Sequence, residues 1–349
     1  MTAALFTHQL PINGIKDVNE NAFHGQTMSN SLNESTGKSM NESTVMPQMG
    51  IDVGPLYFRN PLLTASGTFG YGAEYASFVD LSRLGALIVK GLSLKPRMGN
   101  PPPRIMETAG GMLNAIGLEN IGVKAFIAEK LPFLRDFDVP VIANIFGETV
   151  DEYQAVAALL ARAEGVCALE LNISCPNVKK GGVAFGSDPD LAAEVTRRVK
   201  EVSSLPLIVK LTPNVTDIAL IAEGVEAGGA DILSLINTIT GMSVDAERRV
   251  PHLKNITGGL SGPALKPIAL RMVWQVVNRV SIPVIGIGGI TAAIDVLEFL
   301  IVGARAVQIG TANFINPSAM INILDEIQAY LVRHHIDNIG DLVRTLRVD

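Results

Sequence analysis

The chain has 349 residues, 48% of them hydrophobic and 18% charged, with a formal net charge of −6. That acidic balance, with no long Lys/Arg run, argues against nucleic acid and anionic membrane as partners, and no apolar run reaches the roughly 18 residues of a membrane span. The two cysteines, Cys167 and Cys175, are too few for an iron–sulfur cluster and form neither a CxxC motif nor a disulfide framework. Met1-Thr2-Ala3-Ala4-Leu5-Phe6 carries no basic region and no sustained apolar stretch, so the cytoplasm is the expected compartment.

Residues 1–48 are rich in Asn, Ser, Thr and Met and show no hydrophobic period. The tetrapeptide Asn33-Glu34-Ser35-Thr36 recurs as Asn41-Glu42-Ser43-Thr44. Such a segment buries too little surface to offset its ordering entropy, which predicts a disordered extension. Gly37-Lys38-Ser39 resembles the end of a phosphate loop, but Leu32 stands where the first glycine belongs. The folded domain is then 49–349.

From there, short β-rich apolar runs alternate with amphipathic stretches. Strands are expected at 62–66, 86–90, 140–144, 167–172, 206–211, 231–236, 283–287 and 305–309. Helices are expected at 151–164, 189–202, 216–227, 264–280 and 291–302, with Asp151 and Asp188 as N-caps. Leu205-Pro206-Leu207 and Ile282-Pro283-Val284 read as strands entered through an unpaired first residue. This rhythm predicts an α/β fold, a TIM (β/α)8 barrel, with insertions after strand 2 (about 91–125) and strand 6 (about 238–262). An open doubly wound sheet is the alternative.

A barrel of this kind works at the C-terminal ends of its strands. Those ends carry Ser66-Gly67, Lys90-Gly91, Asn144, Asn172 with Cys175, Lys210, Asn237-Thr238, Gly288-Gly289 and Gly310-Thr311. Glycines after strands 7 and 8 let backbone N–H groups approach an oxyanion, where many barrels hold phosphate. The Gly286-Ile287-Gly288-Gly289 pattern does not fit the GxGxxG dinucleotide fingerprint, so a mononucleotide phosphate fits better. Lys90 and Lys210 end apolar strands, where a cation is costly unless it meets an anion; a snorkelling rim lysine is the bland alternative. Asn114, Asn144, Asn172, Asn177 and Asn237 supply amide donors and acceptors that match the imide edge of a flavin or a pyrimidine. None of the five histidines lies at a strand end, which disfavours a catalytic metal and a Cys–His nucleophile. Cys175, in Asn172-Ile173-Ser174-Cys175-Pro176-Asn177, reads as a base rather than a nucleophile, with a small packed thiol as the alternative. Gly181-Gly182, after Lys179-Lys180, suits a mobile lid.

Asn172 to Asn177, Asn114-Ala115-Ile116-Gly117-Leu118 and Ile285-Gly286-Ile287-Gly288-Gly289-Ile290 strongly resemble dihydroorotate dehydrogenases of class 1, over about residues 50–320. The cysteine, where class 2 enzymes carry serine, sets aside the membrane-linked class. Val178 to Gly182 and Gly258-Gly259-Leu260-Ser261-Gly262 look like class 1B, the NAD-linked catalytic subunit. The resemblance implies one FMN per chain and oxidation of (S)-dihydroorotate to orotate in pyrimidine biosynthesis. It implies that Cys175 takes the C5 proton while hydride leaves C6. It implies substrate contacts from Lys90, Asn114, Ala115, Ile116, Gly117, Leu118, Asn172, Asn237 and Thr238. The FMN site it implies comprises Ser66, Lys90, Gly91, Asn144, Asn172, Lys210, Ile236, Gly262, Gly288, Gly289, Gly310 and Thr311. A partner subunit with FAD and a [2Fe–2S] cluster, around a homodimeric core in a heterotetramer, is implied as well. Two readings stand beside it. One is a dihydropyrimidine dehydrogenase-like flavoenzyme acting on uracil-type rings; the other is a flavin-free phosphate-binding lyase or isomerase.

Overall fold

A computed structural model describes residues 46–174, 179–180 and 183–348. Eight strands form one sheet: β1 (Leu62–Thr64), β2 (Leu87–Ile88), β3 (Val141–Ile145), β4 (Ala168–Asn172), β5 (Leu207–Lys210), β6 (Ile232–Leu235), β7 (Val284–Ile287) and β8 (Ala306–Ile309). Each pairs in parallel with its sequence neighbour, and β8 pairs with β1. A parallel bridge between Leu63 and Ala86 joins β1 to β2, so the ring closes and the open-sheet alternative falls. All eight expected strands are present, each within a few residues of its expected span.

The prolines before the strands act as the sequence reading requires. Pro140, Pro206 and Pro283 donate nothing, but their carbonyls accept from Leu87, Leu169 and Leu233 at 2.8, 3.0 and 3.0 Å. Helices Val150–Leu160, Pro189–Lys200, Ile218–Ala227, Lys266–Val277 and Ala293–Val302 follow β3 to β7 and cover the outside of the barrel. Asp188 caps its helix by accepting from the Leu191 N–H at 2.9 Å, as expected. The cap of the helix after β3 is Thr149, whose hydroxyl accepts from Glu152 N–H; Asp151 lies inside the first turn instead. The reason is backbone geometry: an N-cap needs extended dihedrals, and Thr149 has them (φ −134°, ψ 160°). The first βα unit departs from the ideal barrel, with the 3-10 turn Leu81–Arg83 in place of a full helix.

Two features were not legible in the period. A hairpin, Ile51–Val53 with Leu56–Phe58, packs Ile51, Val53 and Phe58 into the same buried cluster as Leu63, Ile88, Ile142, Ala168, Ile208, Ile232 and Ile285. It plugs the N-terminal mouth of the barrel. The two insertions also join each other. Ile105–Thr108, Gly111–Asn114, Thr257–Ser261 and Ile239–Met242 make a four-stranded antiparallel sheet, with Asn114 paired to Gly259 and Leu113 to Leu260. No helix among the described residues is long and apolar enough to cross a membrane.

Candidate active site

Side chains alternate in and out along a strand with a period of two. In this barrel the inward positions therefore form layers. The lowest is apolar: Leu63, Ile88, Ile142, Ala168, Ile208, Ile232, Ile285 and Ala306. Two residues further along the same strands stand Lys90, Asn144, Glu170, Lys210, Ser234 and Gln308. Bulky aliphatic side chains usually fill such a layer; this one is polar. Glu170 and Ser234 are 0% exposed, Asn144 and Gln308 1%, Lys210 5%.

The buried groups satisfy one another. Asn144 Nδ2 donates to Glu170 Oε1 at 2.7 Å, and Ser234 Oγ donates to Glu170 Oε2 at 3.0 Å. Gln308 Nε2 also donates to Glu170 Oε2. Lys210 Nζ donates to Gln308 Oε1 at 3.2 Å and lies 3.7 Å from Glu170 Oε1. Each uncompensated member would carry a desolvation cost, so the set is stable only as a whole.

Above this floor opens a cavity of about 880 Å³ at the C-terminal ends of the strands, bordered on one side by the antiparallel sheet of the insertions. Every described residue that the sequence reading singled out for the site lines it. Asn144, Asn172 and Lys210 come from β3, β4 and β5; Ser66 follows β1, Lys90 and Gly91 follow β2, and Ile236 follows β6. Asn114 to Leu118 descend from the insertion sheet, and Asn237 and Thr238 lead into it. Asn100 holds the Ala115–Ile116 turn, its Nδ2 donating to Ala115 O at 2.9 Å and its N–H to Ile116 O at 2.9 Å. Asn114 Nδ2 donates to Gly259 O at 3.3 Å.

The glycines gather at one end. Gly288, Gly289, Gly310 and Gly262 line the cavity with Thr311, whose hydroxyl donates to Ser261 Oγ at 2.8 Å. Gly289 has φ +73°, and a Cβ there would meet the Lys266 backbone nitrogen at 2.5 Å. Gly262 has φ +106°, and a Cβ would lie 2.5 Å from Gly111 Cα. Both positions demand glycine, and both line the cavity. Behind the first loop, Asp295 Oδ2 accepts from the N–H groups of Thr291 (2.8 Å) and Ala292 (3.0 Å), while Oδ1 accepts from Lys266 Nζ (2.7 Å). Burial alone would push the Asp295 carboxyl up, but these donors hold it below the usual range.

Cys175 lies outside the described residues, as do Asn177 and Gly181-Gly182. The chain is defined as far as Ser174, which lines the cavity. Ser174 N–H donates to Asn172 Oδ1 at 3.1 Å, and Tyr153 OH donates to Asn172 O at 2.7 Å. Lys179–Lys180 pairs antiparallel with Val183–Ala184. Cys167 packs against the lower apolar cluster, and burial pushes its thiol up to about 12. Among the described residues no group of His, Cys, Asp and Glu gathers to hold a metal.

Sequence reasoning missed Glu170, Ser234 and Gln308, as well as Thr212 and Asn214 at the rim. Asn214 Nδ2 donates to Thr238 O at 3.0 Å and its Oδ1 accepts the Thr240 N–H at 2.9 Å. The signal for the first three was present: each is a lone polar residue inside an apolar strand, as in Ala168-Leu169-Glu170-Leu171 and Ala306-Val307-Gln308-Ile309.

The sequence pattern of the family described as "Dihydroorotate dehydrogenase" matches residues 50–331. Two relatives at 57% identity over 302 residues, covering 86% of this chain and 99% of their own length, are the dihydroorotate dehydrogenase B (NAD(+)) catalytic subunits of Citrifermentans bemidjiense and Geobacter sp. strain M21. The protein of that description in Thermoanaerobacter sp. strain X514 is 54% identical over 299 residues. The chain therefore belongs to the dihydroorotate dehydrogenase family, in its NAD-linked class 1B, and is an oxidoreductase.

Proposed function

We propose that this chain is the FMN-binding catalytic subunit that oxidises (S)-dihydroorotate to orotate in pyrimidine biosynthesis. One observation carries the reading: a single cavity holds two lysines, a row of amides and a glycine cradle, supplied by the ends of several barrel strands and by the insertion sheet. Its volume, about 880 Å³, lies toward the upper end of the range for small-molecule sites, enough for a cofactor and a substrate together.

The residues fit a flavin mononucleotide. Backbone amides around Gly288, Gly289 and Gly310, with Thr311, would hold the phosphate. Lys210 and Asn144, fixed from below by Glu170, would face the polar edge of the ring, and Ser66, Lys90, Gly91, Asn172, Ile236 and Gly262 would complete the site. When bound, FMN supplies a two-electron acceptor for the hydride at C6 of the substrate.

The chain's own groups do the rest. Lys90, Asn114, Asn172 and Asn237, with Ala115 to Leu118 and Thr238, would orient the dihydropyrimidine, their amides matching its imide edge and the lysine its carboxylate. Cys175, as thiolate, would take the C5 proton, so that the C5–H bonding pair becomes part of the new C5=C6 bond. Ordinary thiols ionise near 8.5, so the rate should rise toward alkaline pH. The relatives are named catalytic subunits, which implies another subunit. We assign to it the FAD and [2Fe–2S] groups that pass electrons to NAD, around a homodimeric core of this chain in the cytoplasm.

Cofactor identity tests the reading first. Purified chain should be yellow, and its acid-released cofactor should chromatograph as FMN in a 1:1 ratio to protein. Colourless protein that takes up no FMN would contradict it.

A further inference from the structure

We propose that Glu170 is a positioning residue of this active site, aiming Lys210 and offsetting its charge beneath the flavin. The proposal rests on the flavin reading above and adds to it a residue that does not itself border the cavity. Three of its four partners do: Asn144, Lys210 and Gln308 all line the cavity, while Ser234 does not. One carboxylate thus ties together the side chains of three separate strands, β3, β5 and β8, at the point where they meet the ligand space.

Hydrogen-bond accounting gives the carboxylate its charge. Lysine can only donate, so the Gln308 oxygen must face Lys210 Nζ at 3.2 Å, which turns the Gln308 NH2 toward Glu170. Asn144 presents its NH2 at 2.7 Å and Ser234 its hydroxyl at 3.0 Å. Donors surround Glu170, and an ionised carboxyl is the form that accepts from all of them. Packing alone does not account for such a residue. Apolar side chains of similar volume fill this layer in most barrels and avoid the desolvation of a buried ion pair. A fully buried carboxylate beside a cation that borders the ligand space is instead placed to set the local field. With Lys210 alone, the floor would favour the extra negative charge of a reduced flavin. With Glu170 beside it, part of that field is cancelled and the lysine is held at one aim.

The test is the two-electron midpoint potential of bound FMN, measured by anaerobic dye titration on the holoenzyme. Glu170→Gln should favour the reduced flavin by about tenfold, a rise of about 30 mV for a two-electron couple. Lys210→Met should move it the other way, and the double variant should fall between the two. Glu170→Asp, which keeps the charge, should stay within about twofold of the parent. If Glu170→Gln fails to fold, the double variant compared with Lys210→Met carries the same test, since removing the carboxylate should still raise the potential. A purely structural Glu170 predicts lower thermal stability and FMN affinity with no upward shift; that result, in a parent that holds FMN normally, overturns this inference and leaves the flavin reading standing. A parent chain that binds no FMN overturns both.

Discussion

Asn172 and Asn237 meet inside the cavity, with Asn237 Nδ2 donating to Asn172 Oδ1 at 3.3 Å. The same oxygen accepts the N–H of Ser174, the residue before Cys175, so one side chain ties the proposed substrate amides to the segment that leads to the proposed base. Replacing it should cost orientation more than affinity for the cofactor. Asn172→Ala is expected to slow flavin reduction by about 10- to 100-fold, equivalent to about 1.4–2.7 kcal/mol of barrier, while FMN stays bound. Stopped-flow reduction by dihydroorotate measures it, and a rate within twofold of the parent would remove Asn172 from this role.

The glycine cradle makes a prediction about cofactor retention. At Gly289 an alanine would have to adopt φ +73° with its Cβ 2.5 Å from a backbone nitrogen. Strain of this kind costs about 1–3 kcal/mol, and relieving it moves the loop. Gly289→Ala should weaken FMN binding at least tenfold in a fluorescence titration of the apoprotein. Unchanged affinity would mean that the phosphate is held elsewhere.

The two thiols should differ in reactivity. Burial pushes Cys167 up to about 12, so at pH 8 it is almost wholly protonated, and it sits half-buried against the apolar end of the barrel. Cys175→Ser should slow flavin reduction strongly at neutral pH, because a serine hydroxyl is a far weaker base. The same variant, kept native, should incorporate iodoacetamide only slowly by mass spectrometry. Fast labelling of Cys175→Ser, or near-normal reduction by it, would contradict the assignment.

Asp295 gives a pH-dependent contribution to stability. Its carboxyl is held below the usual range, so the folded state binds its proton more weakly than the unfolded state does. The stabilisation is therefore complete above the unfolded value, near 3.9, and is lost as pH falls through the lower folded value. Asp295→Asn should lower urea stability by about 1–2 kcal/mol at pH 7, and the gap between variant and parent should close below about pH 4. A constant gap across that range would show that the hydrogen-bond geometry matters and the charge does not.

The barrel was legible because its strands are apolar runs of the right length, each ending in a polar group or glycine. Lys90, Asn144, Asn172 and Lys210 announced themselves as polar residues closing those runs. The insertion sheet was not legible, since Asn114 and Gly259 lie 145 residues apart and antiparallel pairing over that distance leaves no local period. Glu170 was overlooked for a different reason. It sits within the strand rather than at its end, where alternation places it inward, and only the fold reveals that Asn144, Lys210, Ser234 and Gln308 converge on it. Thr149 took the cap expected of Asp151 because cap identity depends on where the backbone turns, which composition states only to within a residue or two.

The most direct measurement is anaerobic reduction of the FMN-loaded chain by dihydroorotate, with dihydrouracil as the comparison. The account predicts that dihydroorotate bleaches the visible flavin absorbance within seconds, that dihydrouracil leaves it intact, and that orotate is recovered in equal amount. A flavin that dihydroorotate does not bleach, or that dihydrouracil bleaches as fast, would contradict it.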